Sequence, residues 1–163
     1  MSLVVSDSGP VHYLFLCEAI EVIPRLYGQL VIPAAVAQEL SHPHTPPEIC
    51  RWIQALPPWA TIRAPARIDA TTRLGSGERE AIALALELKA TPLLMDDRAA
   101  RQVAAQRGLS IVGTVGILEQ AAVNGLLNLP EVMQKLLATN FRINSEVVRE
   151  ALSRDAARRK AGD

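Results

Sequence analysis

The sequence predicts an α/β domain built on a parallel sheet with helices over both faces. Short apolar runs bounded by polar or turn residues recur at Leu3 to Ser6, Leu30 to Ile32, Ala60 to Arg63, Pro92 to Met95 and Leu109 to Val112. Stretches with helical spacing separate most of them, and strands that alternate with helices imply parallel βαβ units. A chain of 163 residues, 49% hydrophobic and 21% charged, has the length and balance of one domain with a sizeable core.

Taken in order, the first strand runs into Ser6-Asp7-Ser8, where either Asp7 or Ser8 can cap a helix near Val11 to Leu16. Pro33 suits the first helical position before Ala34 to Leu40. Ser41 to Pro58 is rich in proline around a helical piece near Glu48 to Ala55 that carries Trp52, and reads as an excursion from the core. Ser76 is placed to cap a helix over Glu78 to Lys89. Gly108 can stop the helix that runs from about Arg98 to Arg107. From Thr114 onward strand signals vanish, and Val115 to Ala122, Pro130 to Ala138 and Ser145 to Arg158 all read as helices. Residues 1–125 are expected to form the main body and 126–163 a helical C-terminal extension of the same domain.

Composition narrows the function. Aromatic residues are only 4%, which leaves little material for base-stacking platforms, and the formal net charge is zero, which argues against holding nucleic acid by bulk electrostatics. No apolar run approaches the roughly 18–20 residues of a spanning helix, so no membrane role and a cytoplasmic location are expected. Cys17 and Cys50 read as unpaired thiols. His42 and His44 lack a third zinc partner. Gly75-Ser76-Gly77 lacks the lysine of a phosphate-binding loop and is explained by a turn before a helix.

The chemistry lies in the acidic residues. Asp7 and the Asp96-Asp97 pair each stand directly after a buried strand, where a carboxylate is costly to desolvate without a partner. In an open α/β sheet ligands bind beyond the carboxyl ends of strands, so parallel neighbours would bring these groups to one edge. Glu78 shares a helical face with Ala81, Ile82 and Ala85, and Glu39 sits at the rim of the buried face of its helix. The plainer readings are a dipole-favoured Glu78 and a solvated Glu39. Several carboxylates with no matching set of His and Cys select a hard cation such as Mg²⁺ or Mn²⁺, which suits phosphoryl chemistry. Arg79, Arg98 and Arg101 flank the acidic segments and are candidate RNA contacts.

In this order, Asp7, Glu39, Glu78 within Leu74-Gly75-Ser76-Gly77-Glu78-Arg79-Glu80-Ala81-Ile82, and Asp96-Asp97 resemble the PIN domain nucleases. Gly113-Thr114-Val115-Gly116 after the last strand is similar to a VapC-like toxin subgroup, and Asn140-Phe141-Arg142-Ile143-Asn144-Ser145 extends the likeness to most of the chain. The resemblance implies a PIN-like three-layer α/β/α fold with a five-stranded parallel sheet in the order 3-2-1-4-5. It implies Mg²⁺- or Mn²⁺-dependent cleavage of RNA, usually by the toxin of a toxin–antitoxin pair, hence an antitoxin-like partner, with homodimers common. Carried over by position, Asp7, Glu39, Glu78 and Asp97 are the catalytic quartet, and these four with Asp96 are the metal ligands. Ser8 and Thr114 match positions where a small hydroxyl supports the first aspartate. Gly9 departs from the pattern, standing where Ser or Asn is usual, and this keeps open a rival reading as a weakly active regulatory binding module.

Overall fold

The computed structural model describes residues 2–69 and 71–162, so the outermost positions of the expected domain bounds, 1 and 163, lie outside it. The elements are β1 (Ser2–Ser6), α1 (Ser8–Leu16), α2 (Val22–Leu26), β2 (Gly28–Pro33), α3 (Ala34–Leu40), α4 (Pro47–Gln54) and β3 (Ala60–Arg63). They continue with α5 (Ser76–Leu88), β4 (Leu93–Leu94), α6 (Arg98–Gln106), β5 (Ile111–Val112), α7 (Thr114–Val123), α8 (Leu129–Leu137) and α9 (Ser145–Ala161). The five strands pair in parallel in the order β3-β2-β1-β4-β5.

Alternation along the strands builds two cores, because successive side chains point to opposite faces. Val4, Leu30, Ile32 and Leu94 face one layer, with Leu14 from α1, Ile117 and Leu118 from α7, Met133 from α8 and Val148 from α9. Val5, Val31, Leu93 and Met95 face the other, against Ala81, Ile82, Leu84 and Ala85 of α5 and Ala100 and Ala104 of α6. Helices α8 and α9 therefore belong to the principal core. Leu129, Met133 and Leu136 are each 1% exposed or less, and burying side chains of that size contributes on the order of 2 kcal/mol apiece.

Several boundaries differ from the sequence expectation for identifiable reasons. Pro33 pairs with Arg63 in the sheet and precedes the first helical residue, Ala34, so it closes β2 and caps α3. Gly75 is the N-cap of α5 and Ser76 its first residue, because Glu78 turns back to accept a hydrogen bond from the Gly75 N–H at 2.7 Å. Helix α2 has no counterpart in the expectation. It is five residues long and holds Pro24 in its first turn, where a missing N–H costs nothing. The expected strand from Pro92 to Met95 pairs only at Leu93 and Leu94.

Gly108 ends α6 as expected, with φ +79°. A Cβ there would meet nothing within 4 Å, so backbone strain alone opposes a side chain. Gly108→Ala should lower stability by about 1 kcal/mol without altering the slope of a urea transition. Equilibrium unfolding checks this, and a neutral result would mean that the turn relaxes out of the left-handed region.

Candidate active site

The strand order reverses between β1 and β4, and this point of the sheet gathers the acidic residues. The Asp7 N–H donates to the Leu94 carbonyl at 2.9 Å, which locks the end of β1 to the end of β4. Asp7 occupies the N-cap position of α1, yet its side chain makes no capping bond. Nor does it enter an ion pair among the described residues. Its residue exposure is only 5%. Burial foremost pushes its carboxyl up to about 7, and the charges of Glu78, Glu39 and Asp96 push the same way, against the N–H of Ser8.

Asp96 is its partner across the strand ends. The buried Thr114 holds it at both oxygens: the Thr114 N–H donates to Oδ1 at 2.7 Å and the hydroxyl to Oδ2 at 2.6 Å. Burial raises the Asp96 carboxyl above its ordinary range, opposed by these two bonds and by the Arg101 guanidinium. Arg101 is itself anchored, with Nη1 donating to the Met95 carbonyl at 3.3 Å. It is thus a support for Asp96 and also lines the groove on that side.

Asp97 points elsewhere. It is exposed, and its Oδ1 accepts the Ala100 N–H at 2.9 Å as the N-cap of α6. The sequence expectation takes Asp97 as the catalytic ligand with Asp96 behind it; as placed, Asp96 stands at the strand ends with Thr114 on both oxygens, and Asp97 caps α6. The chain leaves β4 and turns into α6 between the two residues, so the first faces the sheet edge and the second faces the new helix. Thr114 likewise serves Asp96 and not the first aspartate.

Glu39 and Glu78 meet at the start of α5. A Cβ on Gly77 would lie 2.4 Å from Glu39 Oε1, so the exposed Glu39 carboxylate rests directly on that glycine. Glu39 shares a cleft of about 290 Å³ with Ser8, Gly9, His12, Tyr13 and Asn140. Glu78 does both jobs that the sequence allows, capping α5 through Gly75 and adding its charge to the field at Asp7. The neighbouring Glu80 reaches across to accept the Ala35 N–H at 3.0 Å and so caps α3, the helix that carries Glu39. Arg79 instead lines a separate, mainly apolar cavity with Ile82, Leu86 and Val103.

Two glycines also shape the site, and nothing in their sequence setting marks the role. A Cβ on Gly9 would approach Asp96 Oδ2 to 3.1 Å, and one on Gly113 would come within 2.6 Å of Arg101 Nη1 and 2.9 Å of Asp96 Oδ1. Gly9 therefore makes room for the Asp96 carboxylate.

Among the described residues no three His, Cys, Asp or Glu side chains stand close enough together to enclose a metal ion as placed. The donor chemistry nonetheless fits a hard divalent cation: two desolvated carboxylates without a bound cationic partner, and two more carboxylates contributing to the same field.

A five-stranded parallel sheet of this order, with helices on both faces, defines an α/β fold of PIN type. The chain matches a family model described as a PIN domain (DUF3368) over residues 3–156, and it belongs to that family, whose members are generally nucleases. A comparison with curated proteins returned no match. Among solved structures it is similar to a PilT N-terminus domain protein from the hyperthermophilic archaeon Sulfolobus solfataricus P2, at 17% identity and a TM-score of 0.52, over 87% of this chain and 99% of that one. The likeness at that identity is one of fold. No helix of the described residues is long and apolar enough to cross a membrane.

The raised Asp7 carboxyl carries a pH signature. Its unfolded value is near 3.8 and its folded value about 7, so the native state binds the extra proton between them. Stability from this group is present below about pH 4 and is lost as pH rises to about 7, by up to ~4 kcal/mol for three units. In chelator, Asp7→Asn should be more stable than wild type at pH 8 and should flatten that part of the profile. Denaturant melts from pH 5 to 8 check this, and a variant no more stable at pH 8 would show that the charge is already compensated.

Proposed function

We propose that this protein is a metal-dependent endoribonuclease that hydrolyses RNA phosphodiester bonds, with Mg²⁺ or Mn²⁺ as its cofactor. The observation that carries the reading is Asp7, a buried carboxyl that caps nothing and pairs with no cation, coupled to Asp96, Glu39 and Glu78. A folded chain retains such a group against its desolvation cost where a bound cation offsets it. PIN domains commonly use divalent metals, which agrees with the all-oxygen donor set.

Asp7 and Asp96 would hold the ion, with Glu39 and Glu78 completing the anionic field around it. The ion, when bound, supplies the charge that activates water and neutralises the phosphate. The chain supplies orientation. Thr114 fixes both oxygens of Asp96, and Gly75 fixes one oxygen of Glu78, so neither carboxylate has to be ordered when substrate arrives. Burial of Asp7 and Thr114 keeps bulk water from that side of the cleft.

On the resemblance of the sequence alone, the proposal extends to the toxin of a toxin–antitoxin pair, acting as a homodimer and restrained by an antitoxin-like partner. The close approach of Gly9 to Asp96 supports the nuclease reading over the rival binding module, because a larger residue there would press on the carboxylate.

Cleavage of a panel of structured and single-stranded RNAs with Mg²⁺, Mn²⁺ or chelator tests the activity. Asp96→Asn should lose at least ~100-fold in cleavage, and Thr114→Val, which keeps the carboxylate but frees it, about 10–100-fold. Asp97→Asn should retain cleavage and stability, since Asn caps a helix as well as Asp does. Loss of activity in Asp97→Asn with activity kept in Asp96→Asn would restore the order expected from the sequence and overturn this site.

A further inference from the structure

Beside the acidic cleft lies a second groove of about 570 Å³, opening between the start of α6, the turn into α7 and the segment leading into α9. Asp96 stands in its wall, so the groove leads directly to the proposed cleavage point. Four arginines line it: Arg98, Arg101, Arg142 and Arg154. Two are engaged, Arg154 in an ion pair with Glu119 at 3.0 Å and Arg101 on the Met95 carbonyl. Arg98 and Arg142 are exposed and form no ion pair among the described residues.

The segment that presents Arg142 is pinned at both ends. Tyr13 of α1 donates its hydroxyl to Asn140 Oδ1 at 3.0 Å, and its ring meets Phe141 edge-on at 4.8 Å between centroids. Asn144 then caps α9 by accepting the Glu146 N–H at 2.8 Å. Arg142 lines the same groove as Asp96, which sets that guanidinium beside the acidic site. A free cation is thus held beside an acidic site on a chain whose net charge is zero.

We propose that this groove binds the phosphodiester backbone of RNA next to the point of cleavage, with Arg98 and Arg142 as its phosphate contacts. The inference rests on the ribonuclease reading above. Contact through phosphate carries no sequence information, and the Phe141 ring, already engaged by Tyr13, is no open stacking platform. The C-terminal part of the chain thereby acquires a role in substrate binding beyond its part in the core.

The test is equilibrium binding of a labelled single-stranded RNA 12-mer to the full chain in chelator, which blocks metal-dependent turnover, across a range of KCl. Each of Arg98→Ala and Arg142→Ala should reduce the slope of log K against log salt by about 0.7, the value of one lost single-strand phosphate contact. Arg25→Ala, on the exposed side of α2, should leave the slope unchanged. In cleavage assays the double variant should raise KM while kcat is kept. Undetectable RNA binding by wild type, slopes unchanged in both variants, or an oligoglutamate peptide that binds with the same arginine dependence while RNA does not would overturn the proposal. A wild type that cleaves RNA with slope and KM indifferent to both arginines defeats the groove and leaves the nuclease reading standing. A wild type that cleaves nothing, yet binds RNA with the arginine-dependent slope, defeats the nuclease reading and upholds the groove.

Discussion

The structure turns on one electrostatic constraint, the placing of Asp7 at the buried junction of β1 and β4. The adjacency is set by the backbone, since the Asp7 N–H is itself the last link between the two strand ends. A desolvated acid held this way is costly, and its neighbours raise the cost, because Glu78, Glu39 and Asp96 all push its protonation up. Strand pairing and hydrophobic packing thus hold together carboxylates of which Asp7 and Asp96 enter no ion pair among the described residues, with the Arg101 guanidinium acting against the shift at Asp96. The proposal of a bound cation rests on that arrangement.

Close approach does the rest. Two glycines stand where a methyl group would collide with a side chain of the site, Gly77 under Glu39 and Gly113 between Asp96 and Arg101, and at Gly9 a methyl group would press on Asp96. Helix ends contribute equally. Glu78 and Glu80, two residues apart, cap α5 and α3 respectively, so the helices that carry Glu78 and Glu39 are tied to each other at their starts. The carboxylates in the field at Asp7 therefore come with their own supports, and their positions depend on local hydrogen bonds more than on the distant core.

Much of this was legible in the sequence, and the reason lies in periodicity. Five apolar runs separated by helical patterns sufficed for the class of fold, and the stripe of Ala81, Ile82 and Ala85 is buried as its spacing implies. The strand order came from resemblance, since no local pattern reports which strands are neighbours. Supports such as Thr114 on Asp96 or Glu80 on Ala35 join residues 18 and 45 positions apart, and pairings at that separation leave no trace in spacing. Glycines chosen for close approach look, in sequence, like glycines chosen for turns.

The adjacent aspartates Asp96 and Asp97 show where sequence reasoning stops. At the exit of a strand, alternate residues face opposite sides, so only one of two neighbours can face the site, and a shift of one residue in where the strand ends decides which. Here β4 pairs for only two residues, and the chain has already turned for α6 at Asp97, whose oxygen is used by the Ala100 N–H. The capping role of Asp97 also explains why a second acid stands there at all. A helix that begins immediately beyond a ligand needs its own N-cap, and Asp meets that need while adding negative charge near the helix's positive end. The paired acids thus stand in two separate settings, one held by Thr114 at the end of β4 and one starting a helix, made adjacent by the short distance between strand and helix.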